Sequence, residues 1–150
     1  MTPSPPRYRD LGLTVGMLDP GPNNAITDVD GVIVGVATLI EGEGPLVPGE
    51  GPVRTGVTAI LPHVDIGAEP VFAGCHRLNG NGELTGLEWV RESGQLTTPI
   101  AITNTHSVGV VRDAIVAADM RARSDVGAFW SLPVVGETWD GTSTTSTGST

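Results

Sequence analysis

The apolar runs of this chain are rich in valine and isoleucine, and glycine or proline cuts them short. RTGVTAILP shows the pattern: Val57 to Leu61 is almost continuously apolar, with Gly56 just before the run and Pro62 just after. A run of that length and composition predicts a strand buried on both faces. With 21 glycines and 12 prolines among 150 residues, short strands and tight turns are favoured throughout. Aromatic residues make up only 4% of the chain, so the core must be built from Val, Ile, Leu and Ala. A chain of this length fits one domain, which can bury roughly 70% of its unfolded surface.

The same punctuation divides the rest of the chain. In LDPGPNNAITDVDGVIVGVATLI, Pro20, Gly21 and Pro22 set a turn, and Asp30-Gly31 separates the apolar stretches AITDV and VIVGVATLI, which predicts a hairpin. Glu41 to Pro52 predicts a loop, and PVFAG a short strand. From Thr85 the period changes: Leu87 and Val90, with Trp89 as a further candidate, line one side of a short helix that Gly94 can end. PIAITNT predicts another buried strand. After Ser107, residues Val108, Val111, Ile115 and Ala118 fall at steps of three and four, which predicts a helix to about Arg123. FWSLPVVGETWDG reads as a last strand with an aromatic entry and an acidic exit. The order ββ, loop, ββ, α, β, α, β predicts a layered α/β (α+β) fold with helices on at least one sheet face. Met1–Asp10 reads as a flexible Pro-rich arm, 11–141 as the domain, and 142–150 as a low-complexity Thr/Ser/Gly tail.

Charge narrows the partners. The net charge is −9, and all eight basic residues are scattered arginines, which argues against nucleic acid or an anionic membrane as a partner. The opening residues hold no apolar run that could serve as a signal peptide, and no stretch approaches the ~18 to 20 apolar residues of a membrane span. A cytoplasmic protein is the expectation. The single cysteine, Cys75, excludes an intramolecular disulfide.

Few motifs carry chemistry by themselves. His63, Cys75 and His76 lack metal-ligand spacing, and the adjacent pair would point to opposite faces of a strand, so neither a metal nor another cofactor is expected. NGNGELTG (Asn79–Gly86) is glycine-rich ahead of a helix but fits no phosphate-loop pattern, and a strained turn is its simpler reading. ITNTHSVG (Ile102–Gly109) sets Asn104, Thr105, His106 and Ser107 at a strand-to-helix junction. Helix capping accounts for one of these four, and strand ends that lead into helices also aim polar groups at ligands. Glu137 ends an apolar strand beside Trp139, as either a solvated turn residue or an anion for an ammonium group at an aromatic wall. Ser143, Ser146 and Ser149 have no local scaffold that could activate a nucleophile.

Five blocks in this order, GPNNAITDVDGVIVG, RTGVTAILPH, AGCHRLNGNGELTGLEWVRESG, TPIAITNTHSVG and LPVVGETWDG, resemble the N-terminal portion of the DmpA/BapA-type family. This family comprises L-aminopeptidase/D-amino-acid esterases and β-peptidyl aminopeptidases. The resemblance runs from about Leu11 to Gly141. It implies an αββα sandwich and a precursor that cuts itself at a Gly-Ser bond, freeing an N-terminal serine as nucleophile. It implies homo-oligomers that release N-terminal residues from peptides, amides or esters. By resemblance Glu137 lines the pocket for the substrate's free amine and Trp139 flanks the nucleophile. Some relatives have Tyr at that position, and an indole offers only an N–H donor where a hydroxyl could assist the oxyanion. Phe129 and Trp130 are expected to shape the same pocket and Asn104 to contribute to substrate binding.

No catalytic residue is expected within these 150 residues. The nucleophile belongs to downstream sequence, the remaining half and its β chain are implied partners, and Gly148-Ser149 only imitates the scissile pair. The chain alone is therefore expected to be inactive. The other reading is a non-catalytic α/β binding or scaffold module derived from the same fold.

Overall fold

The computed structural model describes residues 6–123 and 127–139. Its elements are β1 (Ile33–Glu41), β2 (Val53–Leu61), β3 (Val71–Phe72), α1 (Leu87–Ser93), β4 (Gln95–Leu96), β5 (Ile100–Asn104), α2 (Val108–Ala122) and β6 (Val134–Thr138). The proposed tail 142–150 and its serines lie outside the described residues, as do the first five positions of the proposed arm. The rest of that arm leads into an exposed 3-10 turn at Tyr8–Leu11.

A four-stranded mixed sheet has the order β1-β2-β5-β6. β1 pairs antiparallel with β2, and β2 with β5, whereas β5 and β6 are parallel. Parallel neighbours cannot be joined by a tight turn, so the chain crosses between them through α2. The helix closes on the sheet where the 3.6-residue period brings Val108, Val111 and Ile115 against Val57, Ala101 and Val135. Ala118 continues the same spacing but is exposed. Burial of each such aliphatic side chain stabilises the fold by about 1.5–3 kcal/mol.

The opposite sheet face has its own core. Ile100 precedes Ala101, so strand alternation turns its side chain away from α2. There α1 and the β3–β4 ribbon bring Val90, Leu96 and Val134 together, with Val71, Ala73, Cys75 and Ile100 packed around them. Gly94 ends α1 in left-handed backbone and donates its N–H to Val90 O, the termination its position predicts.

Two expectations change. AITDV forms a 3-10 turn, Ile26–Asp28, instead of a strand, and β1 is paired by β2 across the loop 42–52. The cause is Asp28, whose carboxylate accepts the backbone N–H groups of Asn23 and Ala25 and the Asn23 side-chain amide. The turn signal at Asp30-Gly31 is real, with Val32 N–H donating to Val29 O, but it leads into β1 from a turn. The second change concerns β2, expected to be buried on both faces and half-buried along its whole length. Beyond α1 its outer face opens on a trough of about 380 Å³ shared by Val36, Ile40, Arg54, Thr58 and Ile102. Among the described residues no helix is long and apolar enough to cross a membrane.

β6 is also held on its second edge. Thr85 N–H donates to Val135 O, Glu137 N–H donates to Glu83 O, and Leu84 bridges Gly136, so residues 83–85 lie antiparallel to β6. The Thr85 hydroxyl adds two bonds, donating to Pro133 O at 2.7 Å and accepting the Val135 N–H at 3.0 Å. Thr85→Val keeps the shape but leaves both backbone groups unpaired. It is expected to cost about 1–3 kcal/mol in urea unfolding, with Thr85→Ser retaining most of the wild-type stability.

Burial raises the Asp28 carboxyl, but the hydrogen bonds from Ala25, Asn23 and Asn24 outweigh it and hold the group below the usual carboxylate range. A folded value below the unfolded one means that the turn's contribution is complete above pH ~3.9 and is lost as pH falls through the lower folded value. The Asn23 and Ala25 amide resonances should therefore move together with the Asp28 titration, at a pH below that of an unstructured aspartate. Asp28→Asn should abolish that movement.

Candidate functional site

β6 determines where the acidic exit of the last strand points. Val135 is fully buried under α2, and two residues further Glu137 reaches the rim of the same strand. Its backbone is fixed by β5 on one side and by Glu83 O on the other, the latter at 3.2 Å. The side chain enters a groove of about 620 Å³ lined by His76, Glu83, Leu84, Leu87, Gly136 and Trp139. Trp139, 76% exposed, leaves its indole open to solvent at the groove.

The Glu137 carboxylate is half-buried and takes no hydrogen bond or ion pair from any described residue. Ion pairs among the described residues join Arg7 to Asp10, Arg91 to Glu88 and Arg112 to Asp113, all away from it. Arg77 also lines the groove, but it forms no ion pair with Glu137. A carboxylate held in a concave surface without a partner is suited to accept charge-assisted hydrogen bonds from a cationic ligand. Leu84 and Leu87 supply an apolar wall for the carbon chain such a ligand carries.

The other residues singled out from the sequence lie elsewhere. Asn104 faces Thr138 in the parallel register while Thr103 faces Glu137, and Asn104 does not line the groove of Glu137. Asn104 is 4% exposed and fully engaged: its Oδ1 accepts the His106 and Ser107 N–H groups, and its Nδ2 donates to Thr55 Oγ1 and Ser107 Oγ. Phe129 lies beneath the Arg123 guanidinium, 5.2 Å from its ring centre, and Trp130 meets Trp89 edge-on at 4.7 Å. Neither ring lines the groove of Glu137.

His63 accepts the Asp65 N–H at Nδ1, which leaves Nε2 protonated to donate to Glu69 O. Cys75 packs against the core beneath α1, while His76 turns into the groove. The three residues weighed for a metal are thus separated. Among the described residues no three His, Cys, Asp or Glu side chains gather to hold an ion. The contribution of Glu83, Leu84 and Leu87 was not foreseen, because it depends on the antiparallel pairing of residues 83–85 with β6, roughly fifty positions along the chain. The glycine-rich block around them was the available signal.

Residues 24–147 match peptidase family S58. The chain belongs to this family. It is 55% identical over 138 residues to the β-peptidyl aminopeptidase BapA of Sphingosinicella microcystinivorans, a match that covers 91% of this chain and 34% of that protein. Among solved structures, a Burkholderia sp. β-aminopeptidase superimposes with a TM-score of 0.80 at 54% identity, over 90% of this chain and 37% of the other. The L-aminopeptidase D-Ala-esterase/amidase of Ochrobactrum anthropi, a prototype of the serine aminopeptidases with a variant Ntn hydrolase fold, gives 0.73 at 47% identity, over 91% and 39%. The chain therefore spans about a third of the length of the curated relatives it matches.

The Asn104 network has a direct structural consequence. Asn104→Ala leaves two N–H groups at the start of α2 without their acceptor and is expected to destabilise the fold by about 2–3 kcal/mol in chemical denaturation.

Proposed function

We propose that this chain is the amine-anchoring part of a serine aminopeptidase, which releases N-terminal residues from peptides, amides or esters after self-cleavage at a Gly-Ser bond. The nucleophile comes from sequence beyond these residues, and the assembled enzyme is a homo-oligomer. The observation that carries the reading is the half-buried Glu137 carboxylate, without a partner among the described residues, in a groove beside Trp139. Membership of peptidase family S58 and similarity to β-peptidyl aminopeptidases support it.

Glu137 binds the substrate ammonium through short charge-assisted hydrogen bonds, worth about 1.5–3 kcal/mol. The exposed indole of Trp139 contributes an aromatic face to the same cation, and Leu84 and Leu87 hold the first carbons of the residue to be released. Anchoring the amine fixes the distance from the chain end to the scissile carbonyl, and this confines cleavage to the first residue.

Glu137→Gln removes the charge with little change of shape. In the intact protein it is expected to raise KM for β-alanyl-p-nitroanilide about tenfold while leaving hydrolysis of an N-acylated ester within twofold of wild type. Equal loss on both substrates would show that Glu137 does not read the ammonium. The 150 residues expressed by themselves are expected to give no turnover of either compound.

A further inference from the structure

We infer that Gly82 is a specificity-determining residue of the amine-anchoring groove: its missing side chain is the opening through which a primary ammonium reaches Glu137 Oε1. This rests on the reading of Glu137 as the ammonium anchor.

Glycine is normally required where backbone enters the left-handed region or where another group approaches too closely for a Cβ. Gly86 meets both conditions, with φ at 74° and a Cβ position only 2.7 Å from Leu132 O. Gly82 meets neither. Its φ lies outside the left-handed region, and among the described residues a Cβ there would meet only Glu137, at 3.4 Å from Oε1 and 4.0 Å from Cδ. These are ordinary contact distances, so alanine fits the protein.

The atom that an alanine methyl would cover is a carboxylate oxygen with no partner among the described residues. An N–H donor needs to approach such an oxygen to about 2.9 Å, and a methyl already in van der Waals contact with it excludes donor and water from that side. The neighbouring wall of the groove is already closed. A Cβ on Gly136 would lie 3.1 Å from Leu84 Cδ1, so Leu84 occupies the space over β6 there. Over Gly82, by contrast, the space beside Oε1 is left open by the missing Cβ.

The test is calorimetric titration of the intact protein with β-alaninamide, beside the KM and kcat for β-alanyl-p-nitroanilide. Gly82→Ala is expected to weaken β-alaninamide binding and raise KM about tenfold, the loss of one charge-assisted hydrogen bond, with kcat within twofold. In the Glu137→Gln background the same substitution should have no further effect, because its target is gone. Gly74→Ala, whose Cβ would meet nothing within 4 Å among the described residues and which does not line the groove, should change binding less than twofold.

The inference is overturned if Gly82→Ala binds within twofold of wild type, or if it weakens binding equally in the Glu137→Gln background. A loss on Gly74→Ala as large as that on Gly82→Ala, or a wild-type protein that does not bind β-alaninamide, would also overturn it. A wild type that binds β-alaninamide but does not turn over the anilide would refute the aminopeptidase reading while leaving the role of Gly82 supported.

Discussion

The parallel pairing of β5 with β6 governs both the core and the groove. Two parallel neighbours require a crossover, and α2 supplies it while burying Val108, Val111 and Ile115 on Val57, Ala101 and Val135. The same register sets parity: residues opposite each other in parallel strands share a face, so Val135 and Glu137 go with Ala101 and Thr103, while Thr138 goes with Asn104. A slip of one residue would turn Val135 and Glu137 to the α1 face and bring Val134 and Gly136 under α2. Two hydrophobic clusters on opposite faces oppose that slip, because Val134 and Val135 each belong to one of them.

Thr85 performs the complementary task on the other edge of β6. A strand edge presents unpaired N–H and C=O groups, and residues 83–85 satisfy both of those of Val135 and the N–H of Glu137 without forming a full strand. The close approach is possible because Gly86 has no Cβ to strike Leu132 O and Pro133 O. Pairing across this edge also decides which side chains surround the carboxylate, since it lays Leu84 over Gly136 and aligns the Glu83 carbonyl with the Glu137 N–H. The glycine-rich block is therefore one wall of the groove and a brace for β6 at once.

Local signals made much of this legible in the sequence. The period of α2 marked three of its four expected core positions, Gly94 marked the end of α1, and the apolar runs marked β2, β5 and β6. Ordered blocks carried the family resemblance further than any single motif. The failures arose where a side chain or a distant strand overrode the local pattern. Asp28 collects three hydrogen bonds and converts AITDV from strand to turn. Apolar continuity in β2 indicated the potential for burial on two faces, but among the described residues only one face is well covered. The resemblance put Asn104, Phe129, Glu137 and Trp139 at one substrate pocket; among the described residues Glu137 and Trp139 line one groove, while Asn104 is engaged with Thr55 and Ser107 and Phe129 with Arg123. Resemblance conveys which positions recur, whereas register decides which of them meet.

On the proposed reading, that division bears on how binding energy acts. A mobile carboxylate would bind an ammonium and spend part of the interaction on being ordered. Glu137 is held differently, on a strand with Val135 fully buried two residues before it and with backbone partners on both edges. Its backbone is positioned before a ligand arrives, so a bound amine is held near a fixed point from which the scissile carbonyl is measured. Contacts to the amine that persist unchanged into the transition state lower KM, and only those that also restrict the carbonyl to a reactive position raise kcat. The amine contact at Glu137 is of the first kind, and the backbone rigidity of β6 that supports it originates in the aliphatic core and the Thr85 hydroxyl, neither of which touches the ligand.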